Sequence, residues 1–125
     1  MNTRSRQTSE RKAAERRGHA AETLAALLLR IKGYRIVERR FRSRAGEIDL
    51  IARRGRRLAF VEVKARRTPS EAAWAITPRQ QARIIRAAEH WLAIQGGTQD
   101  FDMSFDVVLI GPWAWPRHIA SAFRV

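Results

Sequence analysis

Leu24, Leu27, Leu28 and Ile31 recur at i, i+3, i+4 and i+7, a spacing that predicts an α-helix with one buried stripe. The helix reads from a capping Ser9, through a break at Gly18, to Lys32, where Gly33 supplies a stop. Residues 34–41 (YRIVERRF) then read as a strand that is polar on one side. Residues 43–45 lead into a second strand at 47–53, the chain turns at Gly55, and a third strand covers 58–66. Residues 67–77 (RTPSEAAWAIT) are expected to be a loop with a short helix. Thr77, Pro78 and Gln80 form a capping signature for a second helix, which Ile84, Ala88, Trp91, Leu92 and Gln95 continue and Gly96 and Gly97 end. Residues 105–110 (FDVVLI) make a fourth strand, and 118–123 a candidate terminal strand. The order α-β-β-β-α-β defines an α/β chain. Its second helix can act as the crossover that returns strand 4 parallel to strand 3, which predicts a mixed β-sheet flanked by α-helices. Residues 1–9 are polar and basic and read as a disordered tail; residues 10–125 read as one domain without internal repeats.

The segment GEIDLIARRGRRLAFVEVK, from Gly46 to Lys64, changes the picture from fold to chemistry. With a two-residue loop at Gly55–Arg56, paired residue numbers sum to 111, so Asp49 faces Glu62 and Glu47 faces Lys64. Alternation groups Glu47, Asp49, Ile51, Phe60, Glu62 and Lys64 on one face, and Ile48, Leu50, Val61 and Val63 on a core face. Opposed carboxylates destabilise a sheet by roughly 1 kcal/mol, and more when desolvated. A divalent cation removes that cost: Mg²⁺ takes one or two carboxylates, keeps waters and accepts phosphate oxygens. Asp49, Glu62 and the carbonyl of Val63 suit it, and Lys64 lands beside the same position, where it can stabilise a developing hydroxide or phosphate charge. The same residues also fit a solvated charged face with an ordinary Glu47–Lys64 ion pair.

Charge supports a polyanionic partner. The chain has 25 Lys and Arg against 12 Asp and Glu, a net +13. A GC-rich genome also yields arginine-rich proteins with solvated basic surfaces. There is no cysteine, which excludes disulfides and cysteine-based zinc sites. The longest apolar run, residues 24–29, is far too short to span a bilayer, and Glu10, Glu15 and Glu22 interrupt any signal peptide, so the expectation is a cytoplasmic protein with no membrane partner. Arg39, Arg40, Arg42 and Arg44 cluster beside the hairpin as candidate nucleic-acid contacts. Arg79, Arg83, Arg86 and His90 make a basic stripe on the second helix that can track a phosphate backbone or simply face solvent. Arg53, Arg54, Arg56 and Arg57 crowd the hairpin tip. Trp113 and Trp115 either anchor their loop on the core or stack unpaired bases, Trp91 reads as core, and Asp106 as support for the site or for an arginine.

GEIDLIA followed by FVEVKAR, with the GHAAETLAALLLRIKGYRIVERR unit and FDVVLI, resembles the YraN-type family of small bacterial proteins, classed as predicted endonuclease-like. That family is similar to archaeal Holliday-junction resolvases and the wider PD-(D/E)XK nuclease superfamily. The resemblance runs from about Gly18 to Phe123. It implies a restriction-endonuclease-like fold, with Asp49 as metal-binding aspartate, Glu62 as second acid, Lys64 as the superfamily lysine and Glu22 as the helical glutamate, all working with Mg²⁺ or Mn²⁺. On spacing alone Glu22 lies opposite the leucine stripe, in line with Gly18 and Leu29, where an exposed glutamate is an equal reading. Glu47 and Gln80 are supporting positions. The chain departs from the family pattern at Gln80, where a lysine is usual nearby, and at Ser104, where an arginine is usual.

Two functions follow. One is a metal-dependent nuclease that hydrolyses phosphodiester bonds in structured nucleic acid, DNA before RNA. The other is a nucleic-acid-binding module that keeps the fold and cleaves little or nothing; a basic adaptor for a protein or membrane is a weaker third. Resolvase-like relatives are often dimeric, which raises a homodimer, although no apolar patch for it is assignable from sequence.

Overall fold

In the computed structural model the elements are, in chain order, α1 (Thr3–Ile31), β1 (Arg35–Arg42), β2 (Glu47–Arg54), β3 (Arg57–Ala65), α2 (Pro78–Gln95), β4 (Asp102–Ile110) and β5 (Arg117–Phe123). The structure describes residues 3–66, 76–96, 100–112 and 115–124. The strands form one mixed sheet in the order β1-β2-β3-β4-β5. β3 and β4 are parallel, from Arg57↔Asp102 to Ala65↔Ile110, as the helical crossover requires. The terminal segment becomes a fifth strand, antiparallel to β4, so the order is longer by one strand than expected. Most of the expected loop at 67–77 lies outside the described residues.

The capping residues act as their types predict. Thr77 accepts from the Gln80 amide, the Gln80 side chain accepts from the Thr77 amide, and Gly96 closes α2 in the left-handed region at φ 60°. Ile84, Ala87, Ala88 and Trp91 of α2 bury one face against Ile48, Ile51, Phe60 and Phe105.

α1 departs from expectation twice. It starts at Thr3, inside the presumed tail, and runs unbroken through Gly18. It also packs by a different face. Leu24, Leu27 and Ile31 are 45, 52 and 72% exposed, whereas Ala21, Ala25, Ala26 and Leu29 are buried. The reason is steric. Ala25 and Ala26 meet Ala52 and Ala59 of the sheet, and small residues on both sides let the helix sit close. The leucine stripe instead lines a groove of about 390 Å³ with Ile110 and an exposed Trp115, so Trp115 does not anchor its loop in the core; Trp113 lies outside the described residues. Ala25→Leu is therefore expected to destabilise by about 2 kcal/mol, whereas Leu27→Gln changes stability by less than about 0.5 kcal/mol. Urea unfolding midpoints of the two variants check this.

The far end of the sheet is fastened by a buried polar network. Asp106, with no exposed surface, accepts from Ser104 Oγ at 2.7 Å and the Ser121 amide at 3.0 Å through Oδ1, and meets His118 Nε2 at 2.7 Å through Oδ2. The Arg57 guanidinium lies 3.9 Å from the same carboxylate. His118 Nδ1 contacts the Lys32 ammonium just beyond the end of α1. Burial by itself would raise the Asp106 pKa, but the hydrogen bonds from His118, Ser104 and Ser121 outweigh it and hold the carboxyl below its ordinary value. The network joins β4, β5, β3 and the end of α1.

Candidate functional site

The hairpin register is the one the two-residue loop dictates: Leu50↔Val61, Ile51↔Phe60 and Arg54↔Arg57 each sum to 111. The β2–β3 ladder ends at Leu50↔Val61, one residue short of Asp49. There the Asp49 side chain turns inward, and Oδ2 accepts the Val63 amide at 2.8 Å. Strict alternation also breaks here. Ile48 packs with Ile51 and Phe60 beneath α2, while Leu50, Val61 and Val63 pack beneath α1, so both faces of the hairpin are core. The expected grouping of Ile48 with Leu50 does not hold, and the face that carries Ile51 and Phe60 is core beneath α2. The expected Glu47–Lys64 pair is replaced by an exposed Glu47–Arg42 pair at 2.8 Å.

Asp49 and Glu62 are neighbours that shift one another's ionisation, and Lys64 Nζ lies 3.5 Å from Glu62 Oε1 with the Lys64 and Glu62 side chains mostly buried. Burial, then the Asp49 charge, pushes Glu62 up to about 8; burial also raises Asp49 despite the Val63 amide. Two desolvated carboxyls that repel one another favour keeping a proton until a cation replaces it.

Glu22 shares a cleft with Asp49 from the side of α1. It is buried on the sheet-facing side with Ala25, Ala26 and Leu29, so the discarded leucine face and the buried glutamate have one cause. Gly18, His19, Glu22, Arg40, Glu47 and Asp49 line a cleft of about 210 Å³. Burial first, then the Asp49 charge, raises the Glu22 pKa. Its carboxylate is held by Arg40 Nε, at 3.2 and 2.9 Å to the two oxygens.

The sequence profile described as "Uncharacterised protein family UPF0102" matches residues 21–110. The chain belongs to the UPF0102 family. It is 60% identical to a UPF0102 protein of Parvibaculum lavamentivorans over 90% of this chain and 84% of the relative. It is 58% identical to a UPF0102 protein of Rhodopseudomonas palustris over 91% and 84%, and 52% identical to one of Mesorhizobium japonicum over 94% and 94%. The residues matched by the UPF0102 profile run from just before Glu22 to the end of β4, so they contain Asp49, Glu62, Lys64 and Asp106 but not His118.

Within this UPF0102 chain the candidate arginines divide. Arg40 and Arg42 line the cleft and pair with Glu22 and Glu47. Arg39 donates to Thr23 at 3.4 Å, and Arg44 is exposed in the β1–β2 turn. Arg79, Arg83, Arg86 and His90 are exposed on α2, with His90 set edge-on against Phe41. Arg83 lies against that turn: a Cβ on Gly46 would sit 3.2 Å from Arg83 Cβ and 3.3 Å from its carbonyl oxygen, a tight approach that glycine leaves open. Gln80 is engaged in the helix cap, and Ser104 is buried on Asp106. The hairpin-tip arginines disperse: Arg53 over Phe101, Arg54 over Tyr34, Arg56 to Asp100 and Arg57 to Asp106.

Among the described residues no three His, Cys, Asp or Glu side chains gather into a metal site unaided. A two-carboxylate centre still fits Mg²⁺ or Mn²⁺, which fill their remaining positions with water, backbone carbonyl or phosphate oxygens. Burial raises both Asp49 and Glu62, and the Asp49 charge raises Glu62 further, which marks where a cation is favoured. Gly18, read in line with Glu22, lines the cleft beside it; sequence reasoning missed His19 as a cleft wall, since that histidine lacks ligand spacing. No described helix is long and apolar enough to cross a membrane.

Proposed function

We propose that this UPF0102 protein is a divalent-metal-dependent nuclease acting on structured DNA, with a restriction-endonuclease-like fold. The observation that carries it is the half-buried Asp49–Glu62 pair with Lys64 3.5 Å from Glu62. Asp49, Glu62 and the Val63 carbonyl would hold Mg²⁺ or Mn²⁺. The ion supplies Lewis-acid polarisation of the phosphoryl group and acidifies a bound water. The protein's part is positional. The Val63 amide orients Asp49, leaving its other oxygen for a ligand. Lys64 places its ammonium where phosphate charge builds up and neutralises the Glu62 carboxylate once that proton leaves. Arg39, Arg44, Arg79 and Arg83 are exposed cations for the phosphate backbone, which give affinity without sequence information. The net +13 agrees with that role.

A second reading is a binding module that keeps the fold without cutting. Glu22 engaged by Arg40, and Gln80 and Ser104 engaged in structural bonds, favour it. Branched and single-stranded DNA incubated with Mg²⁺ or Mn²⁺ separates the readings. The nuclease cleaves, and Asp49→Ala does not. Equal cleavage by both proteins assigns the activity to a contaminant and removes the proposal. Salt-dependent binding by both without cleavage establishes the module.

A further inference from the structure

We propose that Arg40 is a positioning residue that acts as a built-in counterion for Glu22 and competes with the divalent cation for that carboxylate. The proposal rests on the metal-site reading above. Its first support is the backbone. Arg40 sits at φ 54°, a left-handed conformation that disfavours every L side chain except a few such as asparagine. It stands in β1 between the pairs Arg39↔Leu50 and Phe41↔Ile48, level with Asp49 across the ladder. Strain at a non-glycine residue persists where surrounding contacts over-determine it, and such residues concentrate at functional sites. Here the contact that accompanies it is the one to Glu22.

The second support is the contact itself. Arg40 Nε meets both Glu22 oxygens, at 2.9 and 3.2 Å, while the Glu22 side chain keeps 11% exposure and that of Arg40 38%. Arg39 donates to Thr23 and acts on Glu22 through its charge, Arg42 pairs with Glu47, and Arg40 is hydrogen-bonded to Glu22 itself. The third support is composition of the cleft: Glu22, Glu47 and Asp49 line one small space, and Arg40 places a positive charge where a cation would otherwise neutralise them. A carboxylate engaged in this way reaches a metal only after it leaves the guanidinium. Arg40 thus lowers cation affinity and holds Glu22 until ligands displace it.

The test is calorimetric Mn²⁺ titration of wild type, Arg40→Asn, Glu22→Gln, the double variant and Asp49→Asn. Asparagine tolerates φ above zero, so Arg40→Asn removes the guanidinium without adding strain; Arg40→Gly serves if that variant folds poorly. The expected result is Mn²⁺ binding about fivefold tighter or more in Arg40→Asn, a size suited to one nearby charge in a half-exposed site. In the Glu22→Gln background the same change is expected to have little effect. Unchanged or weaker binding in Arg40→Asn overturns the counterion role. So does a gain that persists undiminished with Glu22→Gln, because that is the general effect of removing a cation. These results leave the metal site intact when wild-type binding is lost in Asp49→Asn. Failure of wild type and Arg40→Asn alike to bind Mn²⁺ overturns both the counterion role and the metal-site reading.

Discussion

Asp106→Asn is expected to lower the free energy of unfolding by about 3 kcal/mol, among the largest effects of any single polar substitution in this chain. The argument is one of donors and acceptors. The Lys32 ammonium has only hydrogens to offer, so His118 Nδ1 accepts and His118 Nε2 carries the hydrogen that points at Asp106 Oδ2. Asparagine keeps an oxygen for Ser104 and the Ser121 amide but presents NH₂ to His118. Donor then faces donor. If His118 switches tautomer, the clash moves to Lys32. Arg57 also loses its buried counter-charge, and its Nε already has no hydrogen-bond partner among the described residues. Urea unfolding checks the prediction, with a lower midpoint at unchanged slope. Lys32→Met in the Asp106→Asn background is expected to recover part of the loss, since it frees Nδ1 to carry the hydrogen; additive costs would refute the tautomer argument. The pH dependence has a definite sign. Asp106 is depressed in the folded state, so its contribution is complete above its ordinary value of 3.8 and is lost as pH falls through the lower folded value.

What the sequence made legible was local. The Thr77–Gln80 cap and the Gly55–Arg56 turn are set by residues within four positions of one another, and both formed as read. The turn fixed the hairpin register, and the register brought Asp49 and Glu62 together. What it hid were choices made between distant elements. Hydrophobicity alone selects Leu24, Leu27 and Ile31 as the buried face of α1. The sheet instead presents Ala52 and Ala59, and the small Ala25 and Ala26 in the same cluster let the helix sit close. That reversal decides where Glu22 points. Likewise His118 has no neighbour in sequence to mark it, because its partners Lys32 and Asp106 lie 86 and 12 residues away. The left-handed Arg40 is invisible for the opposite reason: arginine is a poor residue for that conformation, so propensity argues against what tertiary contacts impose.

Glu62→Gln is expected to make the metal-free protein more stable at pH 8 while removing its response to Mn²⁺. In the folded state Glu62 holds its proton up to about 8, against an ordinary value of 4.5. Between those values the folded chain binds more protons than the unfolded chain, so wild-type stability falls as pH rises, by up to about 1.4 kcal/mol per pH unit for one proton. The loss is small near pH 5 and complete above the folded value. Glutamine never ionises, so the variant lacks this slope, and the gap in its favour is expected to open from pH 5 to pH 8 and reach a few (~3) kcal/mol. Mn²⁺ reverses the order. By binding the folded state it stabilises wild type most at high pH, where the Asp49–Glu62 pair has released its proton, and it leaves Glu62→Gln nearly unmoved. Thermal unfolding at pH 5 and 8, with chelator and with saturating Mn²⁺, tests both halves. A variant less stable than wild type at pH 8 in chelator would show that the carboxylate is stabilised by Lys64 more than it is penalised by burial and by Asp49. Equal Mn²⁺ stabilisation of both proteins would place the cation away from Glu62. The acid pair is a liability to the fold and an asset to a metal, and the same substitution separates the two.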